Sequence, residues 1–211
     1  MNDDVRERGF SLPVCTGTGF REDDGYVFLR ALFIFRRQCY AFPMSFRHIP
    51  FGTAESFNVV LEISAGNGNK YEYDESLDAI KLAFVFKDGF KYLYNYGYIP
   101  ETKGGDGDHL DAIVLNPHPL AIGTIVPCRA IGMIELLDRG IEDNKIIAVP
   151  VADGNSKLRS VRDLTEQQLA EFRKFFADLA SQKLKEIVIK GFRNKDRAQE
   201  ELEKGRERYG G

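Results

Sequence analysis

The stretch that decides the fold is FNVVLEISAGNGNKYEY, residues 57–73. Its first seven residues are mostly apolar and rich in β-branched side chains, which favours a buried strand. Alanine, glycine and asparagine follow at residues 65–69, and a run of this kind is typical of a turn. Strand-forming residues resume at 70–73. The segment therefore predicts a strand, a turn and a second strand.

Further short apolar segments continue this pattern along the chain. They lie at residues 80–86, 112–115, 124–133 and 145–151, separated by clusters of Gly, Pro and Asp. Short strands at such spacing favour a closed β-barrel over a parallel sheet.

The C-terminal part shows helical patterns instead. Asp163 followed by Glu166 predicts a helix start with a capping box. One apolar face then recurs at steps of three and four, formed by Leu169, Phe172, Phe176 and Leu179. A second helix is predicted after Asn194, with Ala198 and Leu202 on its apolar side. We expect a mainly β fold, a barrel with flanking α-helices on its outside.

The composition is that of a globular protein. Of 211 residues, 43% are hydrophobic and 29% charged, which is enough to bury the core of one domain. Residues 1–50 show neither alternation nor helical periodicity, so we predict an N-terminal extension of unknown role before a domain at 51–211. Acidic residues near the start do not fit a signal peptide, and no apolar run is long enough for a membrane span. A cytoplasmic protein is expected.

Charge and cysteine content exclude other classes. The net charge of −3 and the pI near 5.7 do not fit a cationic footprint for nucleic acid. Cys15, Cys39 and Cys128 are too scattered for a disulfide framework or a zinc site. Cys128 is predicted to be a buried thiol without a catalytic role.

Residues 95–115, NYGYIPETKGGDGDHLDAIVL, are the most informative for chemistry. Asp106, Asp108 and Asp111 lie within six residues of one another. Carboxylates this close repel each other unless cations lie between them, and their oxygens suit Mg²⁺, Mn²⁺ or Ca²⁺. A solvated acidic turn is the alternative. An EF-hand is excluded, since Leu110 and Pro117 occupy positions that would have to be ligands.

A second acidic group follows in LLDRGIEDNK, residues 136–145. It contains Asp138, Glu142, Asp143 and Lys145. In an extended chain Lys145 would lie on the same side as Asp143, because side chains repeat every two residues. Carboxylates for metals beside a cation for an anion are what a phosphate-ester or phosphoanhydride site requires. An exposed hairpin of mixed charge is the alternative.

These motifs together resemble a known family. In chain order they are Glu62…Lys70-Tyr71-Glu72, Asn95-Tyr96-Gly97-Tyr98-Ile99, Asp106-Gly107-Asp108 followed by Asp111, and Asp138 followed by Asp143 and Lys145. Their order and spacing resemble family I soluble inorganic pyrophosphatases over residues 51–208. The resemblance implies an OB-like five-stranded barrel, dependence on Mg²⁺ (with Mn²⁺ possible), a cytoplasmic location and a homo-oligomer, hexameric in bacterial members.

The resemblance also implies roles for ten residues. Asp106, Asp111, Asp138 and Asp143 match metal ligands, and Glu62 and Glu72 match outer acidic positions that orient waters or take a further metal. Asp108 matches the catalytic carboxylate that receives a proton from the attacking water. Lys70, Tyr96 and Lys145 match positions that contact phosphate oxygens. The expected reaction is Mg²⁺-dependent hydrolysis of inorganic diphosphate to two phosphates.

Several family positions differ in this chain. An expected Asp-Arg pair is replaced by Ala83 and Phe84, and an expected Tyr-Lys pair by Phe176 and Ala177. His109 also replaces the usual residue within the acidic signature.

Two explanations stay open for these differences. In the first, other cations take over the lost contacts or the alignment slips; the candidate cations are Lys81, Lys87, Lys91, Arg173 and Lys174. Alternatively, the protein is a weakly active or inactive homologue that binds metal and phosphate or another phosphorylated ligand.

Overall fold

The computed structural model describes residues 45–87, 89–154 and 156–211. Residues 57–73 form the two predicted strands, β1 (Phe57–Ile63) and β2 (Asn69–Asp74). The other elements follow in chain order as β3 (Ala79–Val85), β4 (Asn95–Tyr98), β5 (Asp111–Val114), β6 (Ile125–Asp138), β7 (Ile141–Glu142), β8 (Lys145–Pro150), a 3₁₀ helix (Val161–Asp163), α1 (Glu166–Lys183), β9 (Ile187–Arg193) and α2 (Lys195–Gly210).

Five strands form a closed ring in the order β1-β4-β5-β8-β6, because β6 pairs with β1 as well as with β8. All pairings in the ring are antiparallel except β5 with β8. The long strand β6 also carries β7 and β9 at its far end. This ring, with helices packed against it, confirms the predicted mainly β fold class.

Strand β2 does not enter the ring. It pairs with β3 as a separate two-stranded sheet, although it follows β1 directly in the sequence. In this sheet Lys70 lies opposite Phe84. Because side chains opposite each other in an antiparallel pair share a face, these two side chains lie on the same side of the hairpin.

The core has two main parts. Inside the ring, alternate residues of β1 (Phe57, Val59 and Leu61) are fully buried with small side chains such as Ala112 and Ala148. Complete burial of each large side chain stabilises the fold by about 1.5–3 kcal/mol. Cys128 also lies in this cluster, which confirms the predicted buried thiol, and burial raises its pKa to about 12.

Helix α1 packs on the outside of the ring through its apolar face. Phe172 and Phe176 are buried, as predicted, and Phe175 joins them. The predicted capping box at Asp163 and Glu166 is wrong. Asp163 instead caps the preceding 3₁₀ helix together with Ser160, and α1 begins at Glu166 with Thr165 as its N-cap and Gln168 as the reciprocal partner. The second helix begins after Asn194 as predicted, with Ala198 and Leu202 fully buried.

Three strands and part of a fourth were not predicted. β4 coincides with the tyrosine-rich motif, the two-residue β7 pairs with the end of β6, and β9 lies between the two helices. β6 continues to Asp138, five residues beyond the predicted end at 133. Its charged residue Glu135 interrupts the apolar run, but it pairs with Arg193 of β9. The ion pair with the neighbouring strand compensates the charge of Glu135, whereas a charged residue in an apolar run predicts the end of a strand from sequence alone.

Gly97 allows β4 to approach β1 closely. A Cβ atom at this position would lie 2.8 Å from the carbonyl carbon of Val60 and 2.9 Å from the Cα of Leu61. Backbone atoms cannot move aside as a flexible side chain can, so only glycine fits. The close approach fixes β4, and with it Tyr96 and Tyr98, against the wall of the ring.

The predicted extension at residues 1–50 falls mostly outside the described residues, as do Cys15 and Cys39. Within the described part, Ile49 is buried against Val60 and Tyr98. The boundary at residue 50 stays a prediction. Among the described residues, no helix is both long and apolar enough to span a membrane.

Candidate active site

All ten residues assigned roles from the sequence line one cavity, whose volume is about 930 Å³. They are Glu62, Lys70, Glu72, Tyr96, Asp106, Asp108, Asp111, Asp138, Asp143 and Lys145. They come from eight separate strands or loops, so chain folding alone brings them together. A solvated acidic turn and an isolated hairpin do not describe this arrangement.

Lys145 stands at the centre of the acidic wall. Lys145 is the first residue of β8, and it pairs with Asp111, the first residue of the parallel strand β5. Its ammonium nitrogen lies 2.5 Å from Asp111 Oδ2 and donates a second hydrogen bond to Asp143. The side chain is almost fully buried. An ammonium has three donors, so one N–H remains after these two contacts.

Tyr96 reaches the same carboxylate from β4. Its hydroxyl donates a 2.6 Å hydrogen bond to Asp111 Oδ2. Burial and the negative charge of Asp111 raise the pKa of Tyr96 well above its ordinary value. The hydroxyl therefore keeps its proton across the physiological range and remains a hydrogen-bond donor.

Another part of the cavity wall comes from the β2–β3 hairpin and from β6. Lys70 donates to Glu72 two residues later on the same face of β2. Asp138, at the end of β6, accepts a hydrogen bond from Lys185. Burial opposes ionisation of Asp138, but the Lys185 ammonium holds its pKa below the usual range.

The loop that carries Asp106 and Asp108 is held by its backbone. The Gly104 N–H donates to the Asp108 carbonyl at 2.7 Å, and the Asp108 N–H donates to Asp106 Oδ1 at 3.2 Å. A Cβ on Gly105 would lie 2.8 Å from the Glu142 carbonyl oxygen, so glycine lets this loop press against the turn before β8. The two acidic segments thereby face one cavity.

Burial and mutual repulsion set the charges of the acidic wall. Burial, together with Asp111, raises the pKa of Asp143, whereas Lys145 partly offsets this rise. Burial also opposes ionisation of Asp111, but Lys145 and the Tyr96 hydroxyl keep its pKa below the usual range. Burial lowers the pKa of Lys145, but the two carboxylates outweigh burial and raise it. One buried cation thus holds two carboxylates together.

The overall charge of the cavity favours additional cations. Nine carboxylate side chains and seven lysine or arginine side chains line it. A polyanion would meet net negative charge there, so positive ions must enter with it or before it. Asp, Glu and phosphate oxygens are hard ligands that suit Mg²⁺ or Mn²⁺.

The donor set fits a hydrated divalent ion rather than a closed cage. Within the described ranges, no three His, Cys, Asp or Glu side chains converge as a ready-made metal site. Mg²⁺ usually keeps several waters and uses one or two carboxylates plus substrate phosphates, so open carboxylates are what it needs. Asp138 Oδ1 is buried without a hydrogen bond from any described residue. It lies 3.4 Å from Arg139 Nε and is available as a ligand.

Glu62 gives a stability prediction for the metal-free protein. Burial and the charge of Asp111 raise its pKa from 4.5 to about 8. Between these pH values the folded state retains a proton that the unfolded state has lost, so stability falls as pH rises through this window. Glu62→Gln removes the buried charge and keeps an oxygen for the Tyr73 N–H, 2.6 Å away. We expect Glu62→Gln to raise the free energy of unfolding by at least ~1 kcal/mol at pH 8.5.

Urea unfolding at several pH values in the presence of a chelator measures this effect. The gain should shrink to nothing near pH 4, where Glu62 is protonated in both states. The exposed Glu55→Gln variant is the control, and it should change stability by less than ~0.5 kcal/mol at either pH. A gain for Glu62→Gln that is equally large at pH 4 would contradict a buried, protonated carboxyl.

The positions that differ from the family pattern are also located. Phe176 is buried among aromatic residues and its ring forms part of the cavity wall, whereas Ala177 is exposed and lies off the cavity. Phe84 stands at the edge of the hairpin with 37% of its surface exposed. His109 lines the cavity, stacks on Tyr98 and lies 3.3 Å from Glu75.

Most of the substitute cations suggested from the sequence lie elsewhere. Of the five, all within described residues, only Lys81 lines the cavity, and it pairs with Asp74. Lys174 pairs with Asp178 on the exposed face of α1. The cavity instead contains Lys183 and Lys185, which sequence reasoning missed. The sequence feature that could have indicated them is a pair of lysines on either side of the end of α1, shortly before the β-branched residues that begin β9.

Comparisons with known proteins agree with this site. The family described as inorganic pyrophosphatase matches residues 59–210. An inorganic pyrophosphatase of Thermoplasma volcanium is 40% identical over 156 residues, which covers 72% of this chain and 92% of the relative. One from Synechocystis is 37% identical over 140 residues, covering 66% and 83% of the two chains.

The fold comparison leads to the same family. The crystal structure of inorganic pyrophosphatase from Thermus thermophilus matches with a TM-score of 0.73 at 35% identity, over 78% of this chain and 98% of that one. A family match across most of the chain, relatives of this identity and a shared fold leave one conclusion. The chain belongs to the inorganic pyrophosphatase family, as its motifs predicted.

Proposed function

We propose that this protein hydrolyses inorganic diphosphate to two phosphates with the help of Mg²⁺, or Mn²⁺ in its place. The observation that carries the proposal is the single cavity that contains all ten predicted residues. Its excess of carboxylates over cations favours divalent ions, and its lysines and tyrosine favour phosphate. The names of the relatives supply the substrate.

The acidic residues would hold the ions. Asp106, Asp111 and Asp143 surround the Lys145 end of the cavity, and Asp138 lies on the wall formed by β6. Glu62 and Glu72 fit an outer role, since Glu62 is buried and accepts a hydrogen bond from the Tyr73 N–H, and Glu72 is bound to Lys70. When bound, divalent ions neutralise diphosphate and make a water molecule more acidic.

The chain's own residues then bind the substrate and move the proton. Lys70, Lys145 and the Tyr96 hydroxyl donate hydrogen bonds to phosphate oxygens. Asp108 accepts a proton from the water as its oxygen bonds to phosphorus. The bond from that phosphorus to the bridging oxygen breaks, and the second phosphate leaves with the bridging oxygen. The donors stabilise the negative charge that develops on it.

Phosphate release by the purified protein tests the reaction. We expect two phosphates per diphosphate consumed in the presence of Mg²⁺, complete loss of release on chelation, and recovery when Mg²⁺ or Mn²⁺ is added back. Triphosphate and a phosphomonoester serve as substrate controls and should react more slowly. Absence of release under all these conditions would remove the enzymatic proposal.

A second candidate function follows from Phe84 and Ala177. Both replace cations expected to bind phosphate, and the loss of a charged hydrogen bond costs roughly 1.5–3 kcal/mol. A weakly active or inactive homologue that binds metal and phosphate, or another phosphorylated ligand, would carry such losses. Binding of inorganic phosphate with Mg²⁺ but without turnover of diphosphate would favour this alternative.

Assembly and location are proposed from the family resemblance. We propose a cytoplasmic homo-oligomer, hexameric as in bacterial members, with no nucleic-acid partner. Sedimentation velocity of the purified full chain measures the assembly directly. A monomer at all concentrations would contradict the oligomer.

A further inference from the structure

Three lysines meet on one wall of the cavity. Lys70 comes from β2, and Lys183 and Lys185 come from the end of α1. Between the last two stands Leu184, which adopts a left-handed conformation with φ of 49° and ends the helix. The break turns the chain so that both lysines on either side of Leu184 face the cavity.

These lysines differ in their partners. Lys185 is bound to Asp138, and Lys70 is bound to Glu72. Lys183 forms no ion pair with a carboxylate in the described part of the chain. Instead its ammonium lies over the ring of Phe84, 5.2 Å from the ring centroid.

The surroundings of Lys183 make it receptive to an anion. The side chain is partly buried, and Lys70 is a near neighbour of the same charge. Burial and this repulsion lower the pKa of Lys183 to about 8. Two ammonium groups on one wall share a single carboxylate, Glu72, so a phosphate oxygen between them would relieve their repulsion.

Phe84 explains how Lys183 reaches this place. It lies opposite Lys70 in the hairpin, so both side chains share one face. Its ring packs edge-on against the buried Phe86, with centroids 4.9 Å apart, and offers its surface to Lys183. An ammonium over an aromatic face is attracted by the ring's quadrupole. Phe84 thereby holds the lysine of α1 beside the lysine of β2.

We propose that Lys183 is a substrate-binding residue, held over Phe84 so that its ammonium and that of Lys70 grip the same phosphate group. The inference rests on the proposed function and adds a residue to its site. A cation from the end of α1 then stands where the chain lacks an arginine on β3, and Phe84 is a positioning residue rather than a lost contact.

Steady-state kinetics of diphosphate hydrolysis at saturating Mg²⁺ test the role of Lys183. Lys183→Met keeps the length and removes the charge, and we expect kcat/KM to fall roughly ten- to hundredfold, mainly through a higher KM. Lys183→Arg should restore most of the loss. Lys174→Met, on the exposed face of the same helix, is the matched control and should stay within twofold of the unchanged protein.

Combined substitutions at Phe84 and Lys183 make the test more specific. Phe84→Arg alone should not tighten binding, since its guanidinium would repel Lys183. In the Lys183→Met background the same change should recover part of the lost kcat/KM, because one cation then replaces the other. Phe84→Tyr keeps the ring and should leave KM unchanged, whereas Phe84→Leu should raise it. Such non-additivity is the signature of residues that act together.

The outcomes separate this proposal from the function itself. If the unchanged protein hydrolyses diphosphate and Lys183→Met does so within twofold of it, the role of Lys183 is overturned and the function stands. If the unchanged protein releases no phosphate, the function fails. Titration with inorganic phosphate and Mg²⁺ then decides the role of Lys183: weaker binding by Lys183→Met supports it, and equal binding overturns it.

Discussion

Replacement of Asp108 by asparagine is expected to lower kcat for diphosphate hydrolysis by about 10²–10⁴-fold, the usual contribution of a general base. Asparagine has the same shape, but its amide cannot accept the proton of the attacking water. The side chain of Asp108 is exposed in the cavity, and the loop is held by its backbone N–H and carbonyl. The fold should therefore survive, with the free energy of unfolding within ~0.5 kcal/mol of the unchanged protein.

The measurement for Asp108→Asn is phosphate release at saturating diphosphate and Mg²⁺, with urea unfolding alongside. Glu75→Gln is the matched control, because Glu75 also lines the cavity but has no assigned catalytic role. It should retain activity within a few-fold. A loss of less than tenfold for Asp108→Asn would assign the proton to another acceptor, and a rise in KM with kcat unchanged would point to a binding role.

The fold could be predicted where side-chain patterns are local. The apolar, β-branched run of β1, the apolar face of α1 and the start of α2 after Asn194 each depend on neighbours within a few residues, and each was found. β4 was missed for a physical reason. A glycine such as Gly97 predicts a turn from sequence, but here the absence of a side chain allows β4 to lie in close contact with β1. A contact between distant strands leaves no local pattern.

More of the site could be predicted than hydrophobic periodicity alone allows, because its acidic residues occur in motifs that resemble those of a known family. The structure brings all of them to one cavity. What the sequence could not provide was the pairing that decides charge. Nothing in the spacing places Lys185 on Asp138 or Lys183 over Phe84, since each pair joins elements that are far apart in the chain. Substitute cations were therefore sought beside the changed positions and not at the end of α1.

Replacement of Lys145 by methionine is expected to have the largest combined effect on stability and activity. Lys145 is buried and is the cation between Asp111 and Asp143. Removal of one partner from a buried ion pair leaves charge without compensation and costs about 3–5 kcal/mol. At pH 7 and without divalent metal, the free energy of unfolding should fall by about that amount. Activity should fall as well, because the third N–H of Lys145 is the proposed phosphate contact.

The pH dependence distinguishes lost charge compensation from lost packing in Lys145→Met. In the unchanged protein Lys145 keeps the pKa of Asp111 below its usual range. Without Lys145, burial raises the pKa of Asp111 and raises that of Asp143 further, so both carboxylates take up protons and lose their uncompensated charge as the pH falls from 7. The deficit of Lys145→Met should therefore narrow as the pH falls toward 4. Lys81→Met breaks an exposed pair with Asp74 and should lower stability far less than Lys145→Met at any pH. A deficit for Lys145→Met that stays constant from pH 7 to pH 4 would mean that the side chain contributes packing and not charge.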